Sequence, residues 1–246
     1  VFVKLDNGNT CGNCGFFEKC SAEENKINIE KIKHYFDLVI LNDPGDSTEF
    51  GPPVLKWKSI DLKKWSPKLE VPEQFKLPET KNLRILHSEL LSKSGRLDGG
   101  KNIKGSPHIK KAVERLQKEG FPVELIHVSN QKSRNMKYFQ AQADIVVEQL
   151  IYGWWGSTFV ETSALGKPIV CYLRNSWKEN FLKIFPEIKS IPIVEADTTT
   201  IYDRLKELVK SEKMRKEYGV DARDFAQKFF NPTINTAALI EHLERL

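Results

Sequence analysis

Two stretches of the sequence carry residue types that suit the binding of an anionic, hydroxylated ligand. The first runs from His87-Ser88 to Lys104-Gly105 and holds Lys93, Arg96, Lys101 and Lys104 among Gly95, Gly99, Gly100 and Gly105. Ammonium and guanidinium groups on a glycine-bearing loop that leads into a helix favour phosphate, because side-chain cations and free backbone N–H groups all face negative charge. A solvated surface loop has the same composition. The second is Gly153-Trp-Trp-Gly156-Ser157-Thr158-Phe-Val-Glu161. Glycine permits close backbone approach or positive φ. Ser157 and Thr158 open a helix whose unpaired N–H groups suit a diphosphate. Glu161, in the same first turns, can accept two hydrogen bonds from a vicinal ribose diol; it can equally serve as an acid that stabilises the helix dipole. Trp154 and Trp155 can wall a sugar or pack against neighbouring loops. No G-x-G-x-x-G or Walker pattern occurs, which leaves ordinary dinucleotide and ATP sites without support.

The elements around these stretches alternate. Strands are expected at Leu83–His87, Pro122–Val128, Asp144–Val147, Pro168–Leu173 and Ile191–Val194. Helices are expected at Pro107–Glu119, Asn135–Gln142, Ser157–Leu165, Trp177–Ile184, Ile201–Lys210, Met214–Phe229 and Thr233–Leu246. Regular β-α alternation means a parallel, doubly wound α/β sheet of Rossmann-like type. Its ligands bind at the carboxyl ends of the strands. The working loops should therefore follow Leu86, Val128, Val147 and Leu173.

Upstream, Ser21–Phe36 reads as a helix, with Ser21 and Glu24 as a capping box. Asp37–Leu41 is a buried strand that ends in the turn Asn42-Asp43-Pro44-Gly45. Pro67, Pro72 and Pro78 then interrupt a charged stretch with little apolar periodicity, as a linker between domains would. This divides the chain into a partial α/β segment (1–60), a linker (61–82), a Rossmann-like domain (83–230) and a terminal helix (231–246). The chain opens with Val1 inside an apparent strand, Val1–Leu5, with no signal-peptide pattern, and so reads as a fragment of a longer protein.

Composition narrows the class further. The chain has 246 residues and a formal net charge of +5, with mean hydropathy −0.44. No apolar run approaches the roughly 18–20 residues of a membrane span. The mild basicity suits anionic small ligands or peripheral contact with anionic lipid, and is too diffuse to call for nucleic acid. Cys11, Cys14 and Cys20 contain one C-x-x-C, half of a zinc site whose nearest fourth ligand is His34. Without a second paired ligand set, reduced thiols in a cytoplasmic protein are the simpler reading.

Asp144-Ile-Val-Val-Glu-Gln, Gly-Trp-Trp-Gly and Glu161-Thr-Ser-Ala-Leu-Gly-Lys-Pro-Ile-Val, taken in order, resemble the nucleotide-sugar half of group 1 (family 4) glycosyltransferases of the GT-B fold. Ile85-Leu-His87-Ser88, Lys104-Gly105 and Ala112-Val-Glu-Arg-Leu look like the first β-α unit of that half. The similarity covers roughly residues 83–230. The segment before the linker is similar to the end of the family's acceptor domain, and the closing helix looks like the one that returns towards it.

The resemblance implies transfer of a hexosyl unit from a nucleoside-diphosphate sugar, usually with retention and without a metal or other cofactor. It implies a saccharide, lipid-linked or small-molecule acceptor, at the inner face of the membrane or in the cytoplasm. Lys104 would bind phosphate, with Arg96 or Lys101 as partner. Glu161 would hold the ribose, while Gly156, Ser157 and Thr158 would present amides to the diphosphate. His87 and Ser88 would line the cleft, and the loop after Val128 would face the base. The family often has two glutamates separated by seven residues, but here the first position is Gly153, so sugar recognition must be arranged differently. No acid or base at the acceptor can be named. A nucleotide-sugar epimerase and a non-catalytic nucleotide-sugar-binding module remain as alternatives on the same fold.

Overall fold

A computed structural model describes residues 22–37, 39–41, 54–56, 58–89, 104–129 and 131–245. The first described elements are α1 (Ala22–Tyr35), β1 (Val39–Leu41) and β2 (Val54–Lys56). β1 and β2 pair in parallel, Val39 against Val54. The expected strand Val1–Leu5, the Cys11/Cys14/Cys20 cluster and the cations Lys93, Arg96 and Lys101 lie outside the described residues.

The main body follows as β3 (Leu83–Glu89), α2 (Ser106–Lys118), β4 (Val123–Ser129), α3 (Ser133–Ala141), β5 (Ile145–Val147), α4 (Ser157–Ala164), β6 (Ile169–Cys171), α5 (Asn175–Ile184), β7 (Val194–Glu195), α6 (Ile201–Lys210), α7 (Glu212–Phe229) and α8 (Pro232–Leu243). Five strands form one sheet in the order β4-β3-β5-β6-β7. Every pair is parallel. The fold is thus the doubly wound α/β, Rossmann-like class that the alternation predicts.

The period of two along each strand divides the core. Ile85, Ile145, Val147 and Val170 face one cluster, with Ile109, Val113 and Leu116 of α2 and Leu205 and Leu208 of α6. Leu86 and Val146 face the other way, towards Met136 and Phe139 of α3. Ile169 and Cys171 share that second face with an aromatic cluster of Trp155, Phe159, Trp177, Phe181, Phe225, Phe229 and Phe230. Within it, Trp155 stacks on Phe159 at 4.5 Å and meets Trp177 edge-on at 4.5 Å. Such pairs add about 0.5–1.5 kcal/mol each beyond area burial.

One strand is shifted from expectation. Ile191–Val194 reads as a strand by hydrophobicity, but β7 is Val194–Glu195. Ladder pairing decides this: Val170 faces Val194 and Cys171 faces Glu195. Upstream, the chain turns tightly, with the Ile193 N–H donating to the Ile191 carbonyl at 2.8 Å.

The proline-punctuated stretch before β3 runs through turns and a short 3-10 helix (Glu73–Phe75) and is docked along much of its length. Ile60, Leu62 and Trp65 pack on the aromatic cluster. Arg223 of α7 donates to the carbonyls of Trp65 (3.0 Å) and Leu62 (3.3 Å). Farther on, Phe75 stacks on Tyr138 at 4.7 Å. Gln142 accepts from Leu77 N–H at 2.8 Å and donates to the Phe75 carbonyl at 2.9 Å. Asn235 of α8 is buried and donates to Ser59 Oγ at 2.8 Å and to the Lys58 carbonyl at 3.3 Å. The last helix and the start of this strap are therefore tied together.

Candidate functional site

The chain steps from β3 outward to β4, then returns to place β5 on the other side of β3. A crevice opens at the carboxyl ends of strands where the order reverses in this way. Ser88 stands near the end of β3, Glu148 directly follows β5, and Lys104-Gly105 leads into α2.

Lys104 is fixed from two sides. Its Nζ donates to the Ser88 carbonyl at 2.9 Å and lies 3.9 Å from Glu148 Oε1. Its own carbonyl accepts from Leu150 N–H at 3.1 Å. Gly105 then turns into α2 with φ +77°, and a Cβ there would sit 3.1 Å from Leu150 Cβ. Glycine is therefore favoured here by the left-handed conformation, with little room for a side chain beside Leu150.

The opposite wall is α4. Gly156 is its N-cap and provides no side chain to close the first turn, whose leading N–H groups have no intrahelical acceptor. Ser157 is exposed at the tip and Thr158 is buried. Glu161 accepts from Gln140 Nε2 at 3.1 Å. Burial pushes its carboxyl up to about 7, against the Gln140 hydrogen bond and the nearby charges of Lys104 and Lys58. Lys104 and Glu161 thus share one electrostatic environment, with Glu148 also in range.

Glu148 is 3% exposed. Desolvation raises its carboxyl above the ordinary range, opposed first by Lys104, then by a Cys171 hydrogen bond, by Lys58 and by the Gly156 N–H, which donates to it. The neighbouring Cys171 thiol is driven well up by burial and by that carboxylate.

His87 is fully buried. Its Nδ1 lies 3.0 Å from the Val147 carbonyl and its Nε2 2.7 Å from Ser106 Oγ. Burial lowers its pKa to about 4. The ring is therefore neutral, with Nδ1–H donating to the carbonyl and Nε2 accepting from the Ser106 hydroxyl. His87 braces β3 against β5 and the tip of α2, and both its nitrogens are used inside the protein. The Ser88 carbonyl meets Lys104. Trp155 belongs to the aromatic core, while Trp154 lies against Tyr152 at 4.6 Å.

Four residues missed by the sequence reading complete the site: Lys58, Gln140, Glu148 and Gln149. Gln149 Nε2 donates to the carbonyls of Trp154 (2.6 Å) and Tyr172 (2.7 Å), and its Oε1 accepts from the N–H groups of Ile151 (3.1 Å) and Tyr152 (2.7 Å). One side chain therefore folds the loop that carries the glycines. Its sequence signal is a polar Glu-Gln pair set directly behind the apolar strand Ile145–Val147.

Gly153 has φ +85°, and a Cβ there would collide with Arg174 Cγ and lie 2.9 Å from its Cδ. The backbone of this loop consequently excludes a glutamate at that position. No group of His, Cys, Asp and Glu able to hold a metal occurs among the described residues, and no described helix is long and apolar enough to cross a membrane.

The five-stranded parallel sheet with its flanking helices is a Rossmann-like α/β fold that matches solved GT-B glycosyltransferases. A structure of Anabaena Alr3699/HepE in complex with UDP and glucose superposes with a TM-score of 0.65 at 13% identity, covering 93% of this chain and 68% of that one. Sucrose-phosphate synthase from Thermosynechococcus elongatus gives 0.64 at 14%, covering 93% and 62%. WaaG, a glycosyltransferase involved in lipopolysaccharide biosynthesis, gives 0.52 at 10%, covering 82% and 60%. The chain thus spans roughly two thirds or less of these neighbours. No family model and no curated protein matches the sequence.

Proposed function

We propose that this chain is the donor-binding part of a glycosyltransferase that uses a nucleoside-diphosphate sugar. The observation that carries the reading is the convergence of Lys104, the α4 tip and Glu161 on one switch-point crevice. Neighbours solved with UDP, UDP-glucose and UDP-2-fluoro glucose support it.

In this reading the diphosphate lies between the Lys104 ammonium and the first-turn amides of α4. Both favour the charge that builds on the departing diphosphate, and both are in place before it builds. Glu161, as a carboxylate, accepts the two ribose hydroxyls. The reaction uses no metal and retains the anomeric configuration of a hexosyl unit passed to a saccharide or lipid-linked acceptor. Gly153 leaves the sugar hydroxyls to backbone groups of its loop.

Isothermal titration calorimetry with UDP, GDP and ADP tests the reading. At least one diphosphate should bind, and Glu161→Ala should weaken it at least tenfold. Absence of heat with all three, or an unchanged affinity in Glu161→Ala, overturns it.

A further inference from the structure

We propose that Glu148 sets how strongly Lys104 grips the donor diphosphate: one buried carboxylate holds both the Lys104 ammonium and the Gly156 N–H, the cation and the helix tip of a single cradle. This rests on the donor-diphosphate reading above and adds to it a residue that tunes the same site.

Glu148 lies behind the cradle and does not line it. It is 3% exposed, with Oε1 3.9 Å from Lys104 Nζ and Oε2 3.5 Å from Cys171 Sγ. A Cβ on Gly156 would come within 2.8 Å of Oε1, so the helix tip is seated directly on the carboxylate. Lys58, Lys104 and Glu161 are the other charges that act in this neighbourhood. The two residues after Glu148 are committed to architecture, Gln149 in folding the loop and Leu150 in holding the Lys104 carbonyl.

As a carboxylate, Glu148 this close to an ammonium takes up part of that ammonium's attraction for an incoming anion. An arriving diphosphate must compete with Glu148 for Lys104 and also approach Glu148 itself. The position of Lys104 does not depend on that charge alone, because the Ser88 carbonyl holds Nζ at 2.9 Å. Removing the charge while keeping an acceptor for Gly156 should therefore leave the cradle's shape and strengthen its grip. A site with this counterweight releases its diphosphate product sooner.

The test is a double-mutant cycle read by calorimetry with UDP on the full chain. Glu148→Gln should bind UDP about tenfold more tightly than wild type, a modest share of the attraction expected for charges at this range. In a Lys104→Met background the same substitution should tighten binding clearly less, because only the repulsion between Glu148 and the diphosphate is then relieved. A residue that only supports the fold would weaken UDP binding in both backgrounds. If Glu148→Gln does not fold, Glu148→Met, which removes the charge with an adaptable apolar side chain, should tighten binding in the same direction. An unchanged or weakened UDP affinity, or an equal shift with and without Lys104, overturns the proposal. If wild type binds UDP but the cycle shows no coupling, only this inference fails. If wild type binds none of UDP, GDP and ADP, the donor-site reading fails with it.

Discussion

The N–H of Leu150 donates to the carbonyl of Lys104 at 3.1 Å. The loop after β5 thereby fixes the main chain of the cation that enters α2, just as Glu148, two residues earlier, faces its ammonium. Strand order brings these two loops together, because β3 and β5 are neighbours in the sheet. In the donor-site reading, Lys104→Met should weaken nucleoside-diphosphate binding by about 10–100-fold, as loss of a charge-assisted contact does. The melting temperature of the same variant should also fall, because Lys104 is the first charge that offsets the desolvation of buried Glu148. Calorimetry and melting on one preparation check both.

Glu161 carries a pH prediction. Burial pushes its carboxyl up to about 7, and only the carboxylate accepts from both ribose hydroxyls. Nucleotide binding should therefore strengthen as pH rises from about 6 to about 8, and Glu161→Gln should flatten that rise. The effect on folding has the opposite sign. A raised folded pKa favours the protonated native state, so this group's contribution to stability is full below its ordinary value and is lost as pH rises through about 7. Binding and melting measured across this range should diverge in wild type and run parallel in the variant.

His87 gives the complementary case. Its folded pKa is lowered to about 4 by burial, so the stability it contributes is present above its ordinary value near 6.5 and is lost as pH falls through about 4. A shift of that size corresponds to about 3 kcal/mol. Because Glu161 contributes with the opposite sign over the same range, the effect is read as a difference: between pH 7 and pH 4, wild type should lose more stability in denaturant titrations than His87→Gln, by an amount of that order. Ser106→Ala, which removes the hydroxyl that donates to Nε2, should lower stability at pH 7 by about 1–3 kcal/mol.

A glutamate at position 153 should not be tolerated. Gly153→Glu places a side chain at φ +85° against buried Arg174, which costs about 3 kcal/mol or more in strain and overlap. A melting temperature within a degree or two of wild type would refute this account of Gly153.

Gln149→Leu keeps the volume of a buried residue and removes its amide. It would leave the carbonyls of Trp154 and Tyr172 and the N–H groups of Ile151 and Tyr152 without that partner. The expected loss is about 3 kcal/mol or more, with nucleotide affinity falling because the loop carrying Gly153 and Gly156 loses its brace. Chemical denaturation and UDP calorimetry read the two effects separately.

Much of this architecture was legible in the order of residues. Ile85 and Leu86 alternate between faces, and Ile109, Ala112, Val113 and Leu116 repeat at helical spacing. Those periods follow from backbone geometry, so they survive without any knowledge of neighbours. The cationic turn at Lys104 and the helix start at Gly156 were visible for the same reason, since local chemistry marks a loop that leads into a helix. β7 was misplaced by a few residues because Val194 and Glu195 are selected by their partners Val170 and Cys171, which hydrophobicity does not reveal. Proline content indicated a linker before β3, but its docking depends on Arg223, Gln142 and Asn235, all distant in the chain.

By itself, then, the sequence determined the alternation of strands and helices, the parallel α/β class and the candidate ends of the crevice. Tertiary structure alone decided that His87 is a neutral internal brace, that Glu148 sits beneath Lys104 and that Gly153 cannot carry a side chain. The difference is physical. Propensity and periodicity act within a few residues, whereas desolvation, ion pairing and steric exclusion depend on which strand lies beside which.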